Sequence, residues 1–179
     1  IAGPGFINFR FSTKIYQKLI INILNSNKKY GSNNKSESYN IEFVSANPTG
    51  PMHVGHSRGA IFGDVLANLL IFNGNTVVKE YYINDYGNQI INFTESVFYR
   101  LREIKLNEKF PKKDNLYPGE YVIDIAKNIL KDHNNIVLND FNKIFNMLSQ
   151  ESLKHSMNLI KVDLKALGIS HDNFVSEKS

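Results

Sequence analysis

The 179-residue chain contains no cysteine, which removes disulfide frameworks and thiolate metal sites together and leaves nothing that points to an oxidising compartment. No apolar run approaches the roughly 20 residues that a membrane-spanning helix needs. No secretory leader is visible either, although a chain that opens on Ile1 rather than Met would hide one. The expected setting is the cytoplasm, with no membrane partner. Clustered positive charge is also missing, because 21 Lys and Arg are scattered among 17 Asp and Glu, for a formal net charge of +4. Such a surface permits a polyanionic partner without demanding one. A non-catalytic RNA-binding domain calls for basic and aromatic side chains interleaved on one face, which the chain does not offer, so it is kept only as an alternative. There is no internal repeat.

What is present is a globular composition, 42% hydrophobic and 12% aromatic, enough for one good core. The segment "IAGPGFINFR" predicts a Gly-Pro-Gly turn followed by a short alternating strand with Ile7 and Phe9 on its apolar face. A helix follows, with Ser12 placed to cap it and Ile15, Leu19, Ile20, Ile23 and Leu24 at helical spacing. The polar stretch "NKKYGSNNKSESYN" is the best linker, and a domain boundary is placed there, dividing residues 1–35 from 36–179. The closing "NFVSEKS" reads as the start of a new extended segment, so the chain is expected to be a piece of something longer.

After the linker, "NIEFVSA" suits a buried strand, and from about residue 56 a helix carries Ile61, Val65, Leu66, Leu69 and Leu70 on one face until Gly74 stops it. "NTVVKEYYIND" is the next strand, and a second helix runs from about 87 to 102. Strand, helix, strand is a βαβ unit and predicts a parallel sheet. Residues 103–118 read as a surface excursion. Two more helices are expected, over 119–133 and 139–167, the second with a core stripe of Leu153, Met157, Ile160, Leu164 and Leu167.

Between the first strand and its helix lies "SANPTGPMHVGHSRG". In open α/β sheets ligands bind beyond the carboxyl ends of the strands, and a helix start offers free N–H groups and positive dipole to phosphate. Pro48 and Pro51 stiffen the approach, while Gly50 and Gly55 let backbone come close to a ligand. His53 and His56, three apart, are placed to donate to one phosphate chain. No third ligand accompanies them, so no metal site is assigned. His133, His155 and His171 are expected at the surface, as are Arg58 and Asp64. Asn84-Asp85, closing the second strand, is either an ordinary turn or a second wall of the pocket.

The run "IEFVSANPTGPMHVGHSRGAIFGD" followed by "EYYINDYGNQI" resembles the start of the catalytic domain of arginyl-tRNA synthetases, class I enzymes whose first signature is His-x-Gly-His. "AGPGFINF" resembles the end of the N-terminal tRNA-contacting domain of these enzymes. The likeness is strong over residues 1–102 and looser over 117–176, through "YPGEY" and the long helix ending in "LGI".

The resemblance implies an α/β fold, the first half of a Rossmann-like parallel sheet, preceded by the end of a small α+β domain. It implies activation of L-arginine by ATP, accompanied by Mg2+ without a protein ligand, and transfer to tRNA(Arg) by a protein monomeric at full length. His53 and His56 would be catalytic, and Pro51, His53, Gly55 and His56 would meet ATP. Glu42, Ser45, Ala46, Asn47 and His56 would line the arginine site, where a carboxylate suits a cationic substrate. The family's second signature, a Lys-Met-Ser-Lys-Ser-like loop, is absent from these residues, which implies half an active site. Another His-x-Gly-His nucleotidyltransferase is the alternative enzyme.

Overall fold

The computed structural model describes residues 3–34 and 36–178. Lys35, where the domain boundary is placed, lies outside the described residues, as do Ile1, Ala2 and Ser179. The centre of the fold is a three-stranded sheet of β1 (Ser38–Glu42), β2 (Thr76–Ile83) and β3 (Asn173–Ser176), in that order. Both pairings are parallel, with Ser38 opposite Thr76 and Glu80 opposite Asn173. The expected βαβ unit is therefore present, with α2 (Val54–Phe72) as its crossover. Between β2 and β3 run α3 (Asn88–Leu106), α4 (Glu120–Asp132) and α5 (Phe141–Ala166).

Two hydrophobic clusters divide the interior. Phe93, Val97 and Leu101 of α3 pack with Val122 and Ile129 of α4 and Leu148 of α5. Phe43, Ala60, Tyr81, Met157, Ile160 and Leu164 pack on the sheet. Each such side chain contributes on the order of 1.5–3 kcal/mol by leaving water, and α5 is long enough to serve both clusters. Its predicted stripe is buried at Met157, Ile160 and Leu164 but reaches solvent at Leu167, which is 41% exposed. Ser149, Ser152 and Ser156 share the buried face and let neighbouring elements come close.

Helix α2 departs from the pattern read in its sequence. Its buried residues are the small ones, Ala60, Gly63 and Ala67, while Ile61, Val65, Leu66 and Leu69 are exposed. Close approach to the sheet decides this, because a Cβ on Gly63 would lie 2.3 Å from the Phe43 ring. Asp64 is not a solvated residue either: its carboxylate meets Lys79 Nζ of β2 at 2.7 Å, the two side chains being 17% and 13% exposed.

The strand predicted near the N-terminus does not form. The Gly3–Gly5 turn is present and Phe6 makes an isolated bridge, but residues 7–12 belong to no regular element, and Ile7 and Phe9 are exposed. Among the described residues this segment has no ladder partner, and without one an extended segment gains no sheet hydrogen bonds. Helix α1 (Thr13–Ser26) follows as expected, with Ser12 at its N-cap position but making no side-chain cap bond, and it has no buried residue.

Candidate active site

The first strand ends earlier than its apolar sequence implies. After Glu42 the chain makes one more ladder bond, Phe43 N–H to Glu80 O at 3.2 Å, and then turns left-handed at Val44 (φ 71°) and Ser45 (φ 40°). A β-branched residue in this region is uncommon and costs on the order of 1–3 kcal/mol, so neighbouring contacts must hold it. Ser45 Oγ donates to Glu42 Oε1 at 2.6 Å and accepts the Tyr82 N–H at 3.1 Å. Tyr81, fully buried, donates its hydroxyl to Ala46 O at 2.8 Å. Behind the turn the His171 ring lies 4.3 Å from the Phe43 ring, with Nε2 3.3 Å from Phe43 O.

The chain then crosses the sheet's carboxyl end. Asn47 Nδ2 donates to Gln89 Oε1 at 2.7 Å near the start of α3, and Pro48 is fully buried. Tyr121 donates its hydroxyl to Thr49 O at 3.0 Å, and its ring fills the space beside Gly50. Met52 N–H reaches Asp163 Oδ2 of α5 at 3.0 Å. Pro51 is exposed. This bracing delivers the chain to the N-terminus of α2 in a fixed direction.

His53 is the N-cap of α2, and it forms a capping box with His56. His56 N–H donates to His53 Nδ1 at 3.3 Å, and His53 N–H donates to His56 Nδ1 at 3.4 Å. The rings stack with centroids 3.6 Å apart. Because both Nδ1 atoms accept, each neutral ring carries its proton on Nε2 as a donor. Burial and then the neighbouring His53 hold the His56 pKa below the usual imidazole range. A Cβ on Gly55 would come within 2.9 Å of His53 Cε1, so this glycine makes room for the capping ring itself.

Acidic groups gather at the ends of all three strands. The Tyr82 hydroxyl is held above its ordinary pKa by desolvation and by the charges of Glu177, Asp85 and Glu42. Asp85 Oδ2 accepts from Ser176 Oγ at 2.7 Å, while its Oδ1 is buried without a hydrogen-bond partner among the described residues. Asp85 also lines a cavity of about 390 Å³ with Tyr86, Gly87, Ile90 and Phe145. Glu42 itself is exposed.

Glu42, Ser45, Ala46 and Asn47 thus share one strand-end turn, and Pro51, His53, Gly55 and His56 the helix start that follows it. Asp85, read as either a turn or a second wall of the pocket, joins them, and so do Glu177 and His171, which no sequence signal announces. Asn84-Asp85 had a signal in its strand-end position, whereas Glu177 arrives only through the pairing of β3 with β2. His171 is half-buried rather than superficial, since it stacks beneath Phe43. His155 is likewise only 19% exposed at its side chain, against the surface position expected for it.

A parallel βαβ unit with a His-x-Gly-His cap at its first strand-to-helix turn defines a class I synthetase type of nucleotide-binding domain. The chain belongs to the family described as tRNA synthetases class I (R), catalytic domain, whose model matches residues 19–114. It is 55% identical over 179 residues to an arginine–tRNA ligase of Pelagibacter ubique, and 48% identical over 180 residues to one of Ehrlichia ruminantium. These alignments cover 98% and 99% of this chain but 31% of each relative. A solved Campylobacter jejuni chain described as an arginyl-tRNA synthetase superposes with a TM-score of 0.84 at 34% identity, covering 94% of this chain and 37% of that one. The chain spans about a third of the length of the relatives it matches.

Proposed function

We propose that these residues are the ATP- and arginine-holding part of an arginine–tRNA ligase. The observation that carries the reading is the mutual cap of His53 and His56, which spends both Nδ1 atoms on the backbone and leaves two Nε2–H donors at the positive end of α2. A triphosphate is the ligand such a constellation suits. ATP supplies the activated phosphorus: the arginine carboxylate attacks the α-phosphate, the bond to the bridging oxygen breaks, and pyrophosphate leaves. His53 and His56 stabilise charge on the phosphates during that displacement, and Pro51 and Gly55 shape the approach to them. Mg2+ enters with the nucleotide, and no protein ligand is assigned to it.

The amino acid is placed at the strand ends. Glu42, Asp85 and Glu177 give a guanidinium an acidic surround, and the partnerless Asp85 Oδ1 offers it an acceptor. Ser45, Ala46 and Asn47 line the approach, with His56 at its border. The arginyl group then passes from the adenylate to the terminal adenosine of tRNA(Arg), with release of AMP. We assign residues 36–179 to the catalytic domain and 1–35 to the close of a tRNA-contacting domain, with the catalytic-domain match itself reaching back to residue 19. That division is supported by α1, which buries no residue against the rest of the chain. The setting is the cytoplasm and the full-length enzyme is a monomer. Among the described residues no helix is long and apolar enough to cross a membrane.

The test is to charge tRNA(Arg) with labelled arginine using the full-length protein that carries these residues. Arginylation that is lost on combining His53→Ala with His56→Ala supports the reading. Adenylate transfer that needs no arginine would point instead to another nucleotidyltransferase.

A further inference from the structure

Away from the strand ends, the C-terminal turn of α4 and the middle of α5 bring four metal-ligating side chains together. Asp132 Oδ2 and Glu151 Oε2 each lie 3.9 Å from His155 Nε2, and Glu151 Oε1 lies 4.0 Å from His133 Nε2. One ligand atom from each of Asp132, Glu151 and His155 falls within 4.8 Å of the others. Glu151 and His155 are four apart on α5, so both project from one helix face. Asp132 and the adjacent His133 close the group from α4, with His133 joining through Glu151.

From this geometry we infer a zinc site, with His155, Glu151 and Asp132 as its ligands and His133 beside the outer oxygen of Glu151. His155 Nε2 is buried and makes no hydrogen bond, a state that needs an explanation. Had the ring served as an imidazolium clamp between two carboxylates, charge-assisted bonds would draw the oxygens in to about 2.7–2.9 Å. At 3.9 Å the contacts are too long for such bonds and within a few tenths of an ångström of the spacing of two donors on one ion. With bonds of about 2.0–2.2 Å at tetrahedral angles, ligand atoms on a shared zinc stand roughly 3.3–3.6 Å apart, so small side-chain rotations bring these atoms onto one ion. An imidazole joined to two carboxylates suits zinc or a neighbouring transition ion better than Mg2+ or Ca2+, which favour oxygen alone. The remaining neighbour is Lys154, whose Nζ lies 3.0 Å from Glu151 Oε2 and whose side chain is 66% exposed. It can swing into solvent when a cation takes that oxygen. The bound ion would staple the end of α4 to α5 and so stiffen the helical layer beside the sheet.

The experiment is calorimetric titration of Zn2+ alone into the metal-stripped full-length protein, with Mg2+ as the comparison. His53→Ala combined with His56→Ala serves as the background, so that any zinc taken up by that adjacent imidazole pair is removed from the signal. The expected result is a site of micromolar or tighter affinity that persists in this background and ignores Mg2+. It weakens roughly a hundredfold in His155→Gln and at least about tenfold in Asp132→Asn. Asp132 is 56% exposed, so its variant remains informative even where His155→Gln fails to fold. X-ray absorption should show imidazole in the first shell, lost with His155→Gln if that variant folds. Zinc binding unchanged by Asp132→Asn, binding abolished by the His53 and His56 substitutions, or no binding at about 100 μM would each overturn the site.

Discussion

His53 and His56 cap the same helix for one another, each Nδ1 accepting the other's backbone N–H, with rings stacked at 3.6 Å. Two contributions are therefore superposed in each ring, one to the stability of α2 through Nδ1 and one to a ligand through Nε2. Asparagine separates them, because its side-chain oxygen caps a helix but offers no donor at the Nε2 position. His53→Ala should cost about 0.5–2 kcal/mol of stability, and His53→Asn much less. Both should lower adenylate formation by on the order of 10²–10³. Thermal denaturation and ATP–pyrophosphate exchange on the same variants check this, and a His53→Asn protein with full exchange would leave only the structural contribution.

Gly63 decides how closely α2 lies on the sheet. An added Cβ would meet the Phe43 ring at 2.3 Å, and Phe43 is itself buried between that helix and the His171 ring. Gly63→Ala should therefore destabilise the fold by about 1–3 kcal/mol through overpacking, despite alanine's better helix propensity. A lowered Tm is the expected outcome, and an unchanged Tm would mean that Phe43 can shift without cost.

The same helix shows what sequence pattern reveals and what it conceals. The position of α2 was legible from its glycine boundary and apolar spacing, but its buried face was not. The large residues Ile61, Val65 and Leu69 outweigh Ala60, Gly63 and Ala67 in any hydrophobic count, although only the small set lets the helix reach Phe43. The histidine pair stands out because it is local, lying within one strand-to-helix turn, whereas Asn47 enters only through the family resemblance. Glu177 and His171 do not stand out, since they reach the site only when β3 pairs with β2 some 90 residues away in the chain. The missing N-terminal strand has a related cause: alternation describes a face, and a face becomes a strand only beside a partner.

The acidic surround at the strand ends predicts a split between the two substrates. Asp85→Asn and Glu42→Gln should raise the arginine KM by about 10–100-fold, from the loss of charge-assisted hydrogen bonds worth roughly 1.5–3 kcal/mol each. The KM for ATP should stay nearly constant. Glu42 is the more exposed and should show the smaller effect. Steady-state kinetics of the full-length enzyme with each substrate varied in turn decides this, and equal rises in both KM values would contradict the assignment.

Stability should fall as the solution is acidified through the histidine range. Burial holds both His56 and His171 below the usual imidazole pKa, assisted at His56 by the charge of His53 and opposed at His171 by the Phe43 carbonyl. A folded pKa below the unfolded value of about 6.5 means that the unfolded chain takes up the proton first. The contribution is thus complete above pH ~6.5 and is lost as pH drops toward the folded pKa values. Tm measured from pH 7.5 down to 5 should decline, and His171→Gln should flatten that decline.

The central claim is that the His53–His56 turn and the acidic strand ends serve one reaction, the activation of arginine by ATP. Amino-acid-dependent ATP–pyrophosphate exchange by the full-length protein, assayed with each amino acid in turn, tests it most directly. The account predicts exchange with arginine alone, reduced on the order of 10²–10³ by His56→Ala. Exchange driven by a different amino acid, or arginine-dependent exchange undiminished in His56→Ala, would contradict it.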